Sequence, residues 1–368
     1  MFSTSLFGTQ VEENPDPHQM VKQFYLALSV TTFEAKNDIW EPLFRNSIVP
    51  YLRQNDTRLI RLQPCDETVA ARAEMAKAGF HPILITVING QPPQVSDSVK
   101  DLALHAFLEV ARGNEVARRE FGERGCIEHL LPLIRSPVHC AKALECLWML
   151  CFESPENIAR ILGRFRGRIG QALDEVLELV NSSNVSNIVK TWALALLHNL
   201  SRDWYTNRKQ GQSAEGGGGS KTYDGAPVRA RISKDEHLAS ILALLQTGPC
   251  YPHPSELHQD GKVPEAICAW AAAGVIKTLV MHRGVADRLV EVGVLETLIA
   301  LFCGDDILEQ TQSAKVIFNI VDHFDVYATI RKWFTENHGR IPMAHRKKLL
   351  ELSVAEVSPY DLHLKERK

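Results

Sequence analysis

Residues 193–203 read ALALLHNLSRD, and similar stretches recur elsewhere in the same chain. ALHAFLEVARG (103–113) and ALECLWMLCFE (143–153) share its apolar spacing, and SAKVIFNIVDH (313–323) shares the apolar run around its asparagine. Apolar residues at three- and four-residue spacing predict helices with one buried face. One apolar residue near each predicted helix end serves as a marker of the repeat: Val110, Leu150, Leu200 and Ile320.

The spacing of these markers indicates a helical repeat. They are 40, 50 and 120 residues apart, and the weaker stretch GVIKTLVMHRG adds Val280, which divides the last step into 80 and 40. Shorter helical patterns follow a marked helix, as in NEVARREFGERG (114–125) and CIEHLLPLIRS (126–136), and the first ends at a glycine, as helices often do. Ser154 and Pro155 give a further start signal for a helix. Three helices in about 40 residues are typical of the armadillo class.

The 80-residue step contains one repeat and two surplus stretches. The helices of this repeat are predicted near 203–209 (as a stub), 236–248 and 263–281. The surplus stretches, about 210–234 and 249–262, are rich in Gly, Pro, Ser and His, and we expect the first to be a disordered insertion. It contains GGGGS at 216–220, which is either native or an engineered linker. Both surplus stretches interrupt one repeat, so they do not separate domains.

The two ends of the chain are less regular and predict caps. We assign residues 1–67 to an N-terminal tail and capping helices, 68–338 to the repeats, and 339–368 to a C-terminal capping helix and basic tail. Helical repeats need such caps because a terminal repeat would otherwise expose an apolar face. The predicted fold is all-α: a right-handed α-solenoid of about five armadillo-type repeats with helical caps and a long inserted loop.

Composition points away from membranes and nucleic acids. Lys and Arg total 41 against 44 Asp and Glu, so the net charge of −3 gives no general attraction for polyanions. The opening residues, MFSTSLFGTQ, lack the regions of a signal peptide, and the eight cysteines show no regular spacing. The longest apolar run, 266–276, is too short to span a bilayer. We therefore expect a soluble protein of the cytoplasm, with the nucleus as the alternative.

The pattern from about 68 to 334 resembles the armadillo repeat family, most clearly at TWALALLHNLS (191–201) and AKVIFNIVDH (314–323). The resemblance implies that third helices line a concave groove, where asparagines hold the backbone of an extended peptide. The equivalent positions here are Glu109, Met149, Asn199, Leu279 and Asn319. Import receptors of the family carry a tryptophan four residues before the asparagine. Ala195 and Lys315 stand there in this chain, which argues against an import receptor.

The predicted groove combines amide and charged side chains. Asparagine offers both a donor and an acceptor to a peptide backbone, although Asn199 and Asn319 could equally bond a neighbouring turn. Residues one helical turn earlier give the groove mixed charge. The candidate partner-binding residues are His105, Glu109, Glu145, Asn199, Lys315 and Asn319. Trp148 and Trp192 lie on third helices, where a tryptophan contributes either to an interface or to the core.

The leading functional hypothesis is a protein-interaction scaffold or adaptor that holds an extended or helical segment of a partner in this groove. One alternative is a chaperone cofactor that embraces a folded partner. Another is a nucleic-acid-associated factor, which would use a basic patch consisting of Arg160, Arg164, Arg166 and Arg168. A nucleic-acid partner is the less favoured of these, and the sequence does not predict an oligomeric state.

No catalytic or cofactor signature is found in the sequence. Cys126, His129, His139 and Cys140 lie within fifteen residues, but their spacing is unlike that of zinc sites. Nucleophile elbows, phosphate-binding glycine loops and HExxH helices are absent from the sequence. We therefore predict neither an enzyme nor a bound metal or cofactor.

Overall fold

The computed structural model describes residues 43–45, 75, 80–89, 96–112, 114–163, 170–205, 221–245, 266–280, 285, 289, 293–303, 313 and 316–317. The chain divides into two compact units, residues 1–150 and 151–368, and each is described by itself. The described elements are α-helices, a 3-10 turn and one short β-hairpin. Within the described residues, no helix has both the length and the apolar character needed to cross a membrane.

The first unit is built from long helices separated by shorter ones. Its elements are α1 (Phe80–Asn89), α2 (Asp97–Ala111), α3 (Glu115–Glu123), α4 (Cys126–Leu130), a 3-10 turn (Leu131–Arg135) and α5 (Cys140–Cys151), whose last residue crosses into the second unit. The Ser96 side chain accepts a hydrogen bond from the backbone N–H of Val99 and caps α2, and Asn114 does the same for α3. The single helix predicted at 126–136 is instead α4 followed by the 3-10 turn. Pro132 explains the change, because its ring removes a backbone donor.

The second unit continues the same order of helices. Its elements are α6 (Pro155–Ile161), α7 (Gln171–Asn181), α8 (Asn187–Ser201), β1 (Trp204–Tyr205), β2 (Lys221–Tyr223), α9 (Ala226–Ile232), α10 (Asp235–Leu245), α11 (Ala266–Leu279) and α12 (Val294–Cys303). The predicted start of α6 is confirmed, with Ser154 at the N-cap and Pro155 in the first turn. The Ser154 side chain forms no capping hydrogen bond there, and its carbonyl accepts one from the N–H of Ile158.

Long helices of successive repeats contact each other in a register that agrees with the sequence spacing. In the first unit, the Cys146 thiol donates to the Leu104 carbonyl at 3.8 Å, and His139 Nε2 lies 3.0 Å from Asp97 Oδ1. Each of these pairs is separated by 42 residues, close to the 40-residue step between markers. The long helices α2 and α5 are therefore third helices of neighbouring repeats.

Helices α8 and α11 of the second unit are joined by buried polar contacts. Thr191 Oγ1 lies 2.9 Å from Cys268 Sγ, and the hydroxyls of Ser201 and Thr278 are 2.6 Å apart. Both pairs are separated by 77 residues, close to the predicted 80-residue step. The repeat that contains the insertion therefore still places its third helix beside the preceding one.

The structure corrects the prediction for the insertion. The first helix of the interrupted repeat is α9. The helical stub predicted near 203–209 is wrong at 204–205, which form strand β1, and residues 206–209 lie outside the described residues. Residues 221–232, expected to be disordered, form β2 and α9. Tyr223 is 2% exposed, and its hydroxyl donates to the Leu200 carbonyl at 2.6 Å. This buried contact orders a segment whose composition alone favours disorder.

Several predicted features lie outside the described residues. These are the glycine run at 216–220, the second surplus loop at 249–262, and the C-terminal capping helix and tail at 339–368. Of the predicted N-terminal cap at 1–67, only residues 43–45 are described. The division into 1–67, 68–338 and 339–368 stays a prediction.

Candidate functional site

One face of α2 remains partly open to solvent. Ser98, Asp101, Leu102 and His105 keep exposure, whereas the residues between 106 and 111 are buried. Their three- and four-residue spacing places them on the same side of the helix. This open face is the first part of the predicted groove.

The charged residues of the predicted groove are held in local pairs. His105 Nε2 lies 3.6 Å from Asp101 Oδ2, and their side chains are 30% and 44% exposed. On α5, Lys142 Nζ donates to Glu145 Oε2 at 3.0 Å. The Lys142–Glu145 pair joins opposite charges on α5, and the His105–Asp101 pair does so on α2 when His105 is protonated.

The positions equivalent to the asparagine ladder lie deeper than the charged pairs. Asn199 is 2% exposed, and Met149 is 5% exposed. The Glu109 side chain is 5% exposed and its Oε2 lies 3.9 Å from Arg112 Nη1. His105 and Glu145, one turn earlier, are the more accessible of the predicted residues.

His105, Glu109 and Glu145 belong to the first unit and Asn199 to the second. Lys315 and Asn319 lie outside the described residues.

Both tryptophans of the third helices are half-buried. Trp148 on α5 and Trp192 on α8 each keep part of their surface in solvent. Tryptophan combines a large apolar ring with one N–H donor, which suits it to contact surfaces as well as to cores. Each side chain therefore lies at the boundary between core and surface.

The basic patch is described at one position only. Arg160 Nη1 donates to Asn157 Oδ1 at 3.0 Å on the same helix. Arg164, Arg166 and Arg168 lie outside the described residues. The nucleic-acid alternative stays untested.

The structure shows the surroundings of three of the four residues considered as metal ligands, His139, Cys126 and Cys140. His139 contacts Asp97, and Cys126 is buried. Burial raises the pKa of the Cys126 thiol far above its usual value and raises the pKa of Cys140 to about 11, so both thiols are protonated at neutral pH. In the part of the chain that the structure describes, no three His, Cys, Asp or Glu side chains are placed to hold a metal ion.

The sequence analysis did not predict two arginines that the structure buries. Arg118 on α3 is 4% exposed and Arg229 on α9 is 6% exposed, and each donates to a backbone carbonyl at the end of a third helix. Arginine is seldom fully buried, so a sequence offers little reason to place it in a core. The signal that could have found them is their position relative to the repeat markers, which the insertion obscures for Arg229.

Comparison with known proteins identifies the fold. No protein-family profile matches the chain, and no curated protein matches it. A designed armadillo repeat protein is similar in structure, with a TM-score of 0.55, 14% sequence identity, and coverage of 83% of this chain and 100% of its own. A second designed armadillo repeat protein, solved with a (KR)4 peptide, has a TM-score of 0.53 and 14% identity over 83% of this chain and 100% of its own. A structure of computationally designed armadillo repeat proteins for modular peptide recognition has a TM-score of 0.53 and 15% sequence identity, and the match covers 83% of this chain and 99% of its own.

These similarities define the class of fold. The chain has an all-α, armadillo-like helical-repeat fold of the solenoid type. At such low identity the likeness concerns the fold alone, because one fold supports many functions.

Proposed function

We propose that the protein is an interaction scaffold, which binds a segment of a partner protein along the open faces of its third helices. The observation that carries this proposal is the set of partly exposed side chains on α2 and α5: His105 and Asp101 on α2, and Lys142 and Glu145 on α5, the helix that also carries half-buried Trp148. In a helical-repeat protein each further repeat adds another third helix, and so extends such a surface along the chain.

The chemistry of these side chains suits a polypeptide partner. Lys142 and Glu145 offer a donor and an acceptor within one helical turn, and their side chains are 23% and 14% exposed. Partial exposure allows them to meet a ligand while their stems stay packed. A half-buried tryptophan adds apolar contact area, and tryptophan is enriched at binding hot spots.

The structural neighbours support the same class of ligand. One of them was solved with a (KR)4 peptide, and others were designed for modular peptide recognition. Those proteins share the fold of this chain but little of its sequence, so the choice of partner must come from the side chains of this chain.

A selection experiment tests the proposal. The full chain would be immobilised and panned with a phage-displayed library of random linear peptides, and selected peptides would be titrated by calorimetry. The double charge exchange Lys142→Glu/Glu145→Lys keeps the net charge and the ion pair but reverses their order. We expect it to weaken binding by about tenfold, or 1.4 kcal/mol, since rearranged charges oppose the selected peptide.

The control places a similar exchange on a first helix. Arg119 and Glu123 on α3 are both exposed, and Arg119→Glu/Glu123→Arg again preserves net charge. We expect this variant to bind like the wild type. Equal loss of affinity in both variants, or the failure of the library to yield any specific peptide, would contradict the proposal.

A further inference from the structure

The two buried arginines occupy equivalent places in two repeats. Arg118 Nη1 donates to the Ala111 carbonyl at 3.2 Å, and Arg229 Nη1 donates to the Ser201 carbonyl at 2.7 Å. Ala111 and Ser201 each directly follow a repeat marker, Val110 and Leu200. Each arginine therefore reaches back from a first helix to the C-terminus of the preceding third helix, where carbonyls lack helical partners and the dipole favours a cation.

The equivalence fixes the length of the insertion. Arg118 follows its acceptor residue by seven positions, whereas Arg229 follows its acceptor residue by 28. The second connection is thus 21 residues longer than the first, and all the extra residues lie between Ser201 and Arg229. The insertion has lengthened one connection within the repeat without displacing the arginine.

Both ends of the insertion supply a carboxylate to Arg229. Asp203, directly before β1, accepts from Arg229 Nη1 at 3.0 Å and from Nη2 at 3.4 Å. Asp224, directly after β2, has Oδ1 3.9 Å from Nη2. The Asp203 carboxylate also accepts from the backbone N–H of Gly225 at 2.9 Å. A buried guanidinium thus bridges the residues that enter and leave the hairpin, and buried charges persist when paired in this way.

The adjoining contacts hold the hairpin base against α8. The Tyr223 hydroxyl donates to the Leu200 carbonyl at 2.6 Å, one residue before the Arg229 acceptor. Gly225 lies so close to Ser201 that a Cβ on it would overlap the Ser201 carbonyl oxygen. The close approach therefore requires glycine at this position.

We propose that Arg229 is a latch, which clamps both ends of the insertion to the C-terminus of α8 and makes the hairpin base a fixed part of the repeat. The latch consists of Arg229, Asp203, Asp224 and the Ser201 carbonyl. It acts independently of residues 206–220, which join the two strands.

Removal of the joining residues tests this independence. Tyr205 and Lys221 are ladder partners, so an Asn-Gly turn can replace residues 206–220 as a two-residue hairpin loop. We expect the shortened chain to keep its melting temperature within about 3 °C, since loop shortening changes the closure entropy only slightly. Amide hydrogen exchange at 221–232 should stay as slow as in the full chain. A large drop in the melting temperature of the shortened chain, or clearly faster exchange at 221–232, would overturn the proposal.

Substitution of the arginine tests the latch itself. In both the full and the shortened chain, Arg229→Met should lower the melting temperature by about 5 to 10 °C and accelerate exchange at 221–232, because it removes the guanidinium from the Asp203 carboxylate and the Ser201 carbonyl. Arg231→Met is the matched control on the same helix, where an exposed arginine pairs with Asp174. We expect this control to shift the melting temperature by less than about 3 °C.

A milder variant covers the case in which Arg229→Met does not fold. Asp203→Asn keeps the shape of the side chain and removes its charge, and we expect faster exchange at 221–232 than in Arg231→Met. Equal effects of the latch variants and the Arg231→Met control would overturn the proposal.

Discussion

At the residue scale, the repeat depends on glycines that start its second helices. Gly125 and Gly293 have φ of +84° and +81°, a left-handed conformation in which L side chains are strained. Each is followed three residues later by a glutamate, Glu128 or Glu296. The sequence predicted Gly125 as a helix end, because glycine is the residue that most readily adopts this conformation.

Substitution of Gly125 measures this strain. A Cβ there would meet the nearest side chain, Glu128, at an ordinary 3.7 Å, so the penalty arises from the backbone. Gly125→Ala should lower the free energy of unfolding by about 1 to 2 kcal/mol, measured by urea denaturation. Gly125→Asn should lose less, because asparagine adopts the left-handed conformation more readily. Equal losses for the two variants would contradict this explanation.

A second residue-scale prediction concerns His198. Its Nδ1–H donates to the Gly274 carbonyl, and burial, together with the charges of Arg202 and Lys277, lowers the pKa to about 3. The unfolded chain takes up this proton near pH 6.5, so His198 lowers stability as the pH falls from there toward 3. We expect His198 to account for as much as about 2 kcal/mol of the stability lost between pH 7 and about pH 4.5.

Urea denaturation at the two pH values provides the check. His198→Gln has no titrating ring, and its amide can still donate to a carbonyl. This variant should lose less stability on acidification than the wild type. An equal loss would show that His198 is not the group responsible.

At the element scale, sequence periodicity predicted the third helices and the spacing between them, but not the atoms through which they contact each other. The 40- and 80-residue steps between markers are matched by contacts 42 and 77 residues apart. The structure of the insertion was harder to predict, because its Gly-rich composition favoured disorder throughout 210–234. Val228 and Ile232, four residues apart and both buried, were the helical signal within it. Tertiary contacts of Tyr223 and Arg229, which no local pattern encodes, complete the explanation.

The hydroxyl pair between α8 and α11 gives an element-scale prediction. Ser201 Oγ and Thr278 Oγ1 are 2.6 Å apart and buried, so one hydroxyl donates to the other. The accepting hydroxyl directs its own proton to a carbonyl on its own helix, that of His198 for Ser201 or Val275 for Thr278. Ser201→Ala and Thr278→Val should each lower the free energy of unfolding by about 1 kcal/mol. The double variant should lose less than the sum, with a coupling energy of about 0.5 to 1 kcal/mol in a double-mutant cycle. Additive losses would mean that the contact contributes nothing of its own.

At the scale of the whole molecule, the fold was predictable from the sequence, whereas the exposure of the candidate binding residues was not. Repeated apolar spacing predicted an armadillo-like solenoid, which the structural neighbours share. The resemblance to armadillo repeats placed Asn199 on the predicted binding face, yet Asn199 is only 2% exposed. A matching position along a helix gives the direction of a side chain but not its depth. The residues one turn earlier, His105 and Glu145, are the accessible ones.

The central claim is that the third helices, rather than the first helices, contact the partner. Hydrogen exchange of the full chain, with and without a peptide selected from the random library, tests it most directly. We predict slower exchange on binding in α2 and α5, with unchanged exchange in α3 and α6. Protection confined to α3 and α6, or absent from α2 and α5, would contradict the claim.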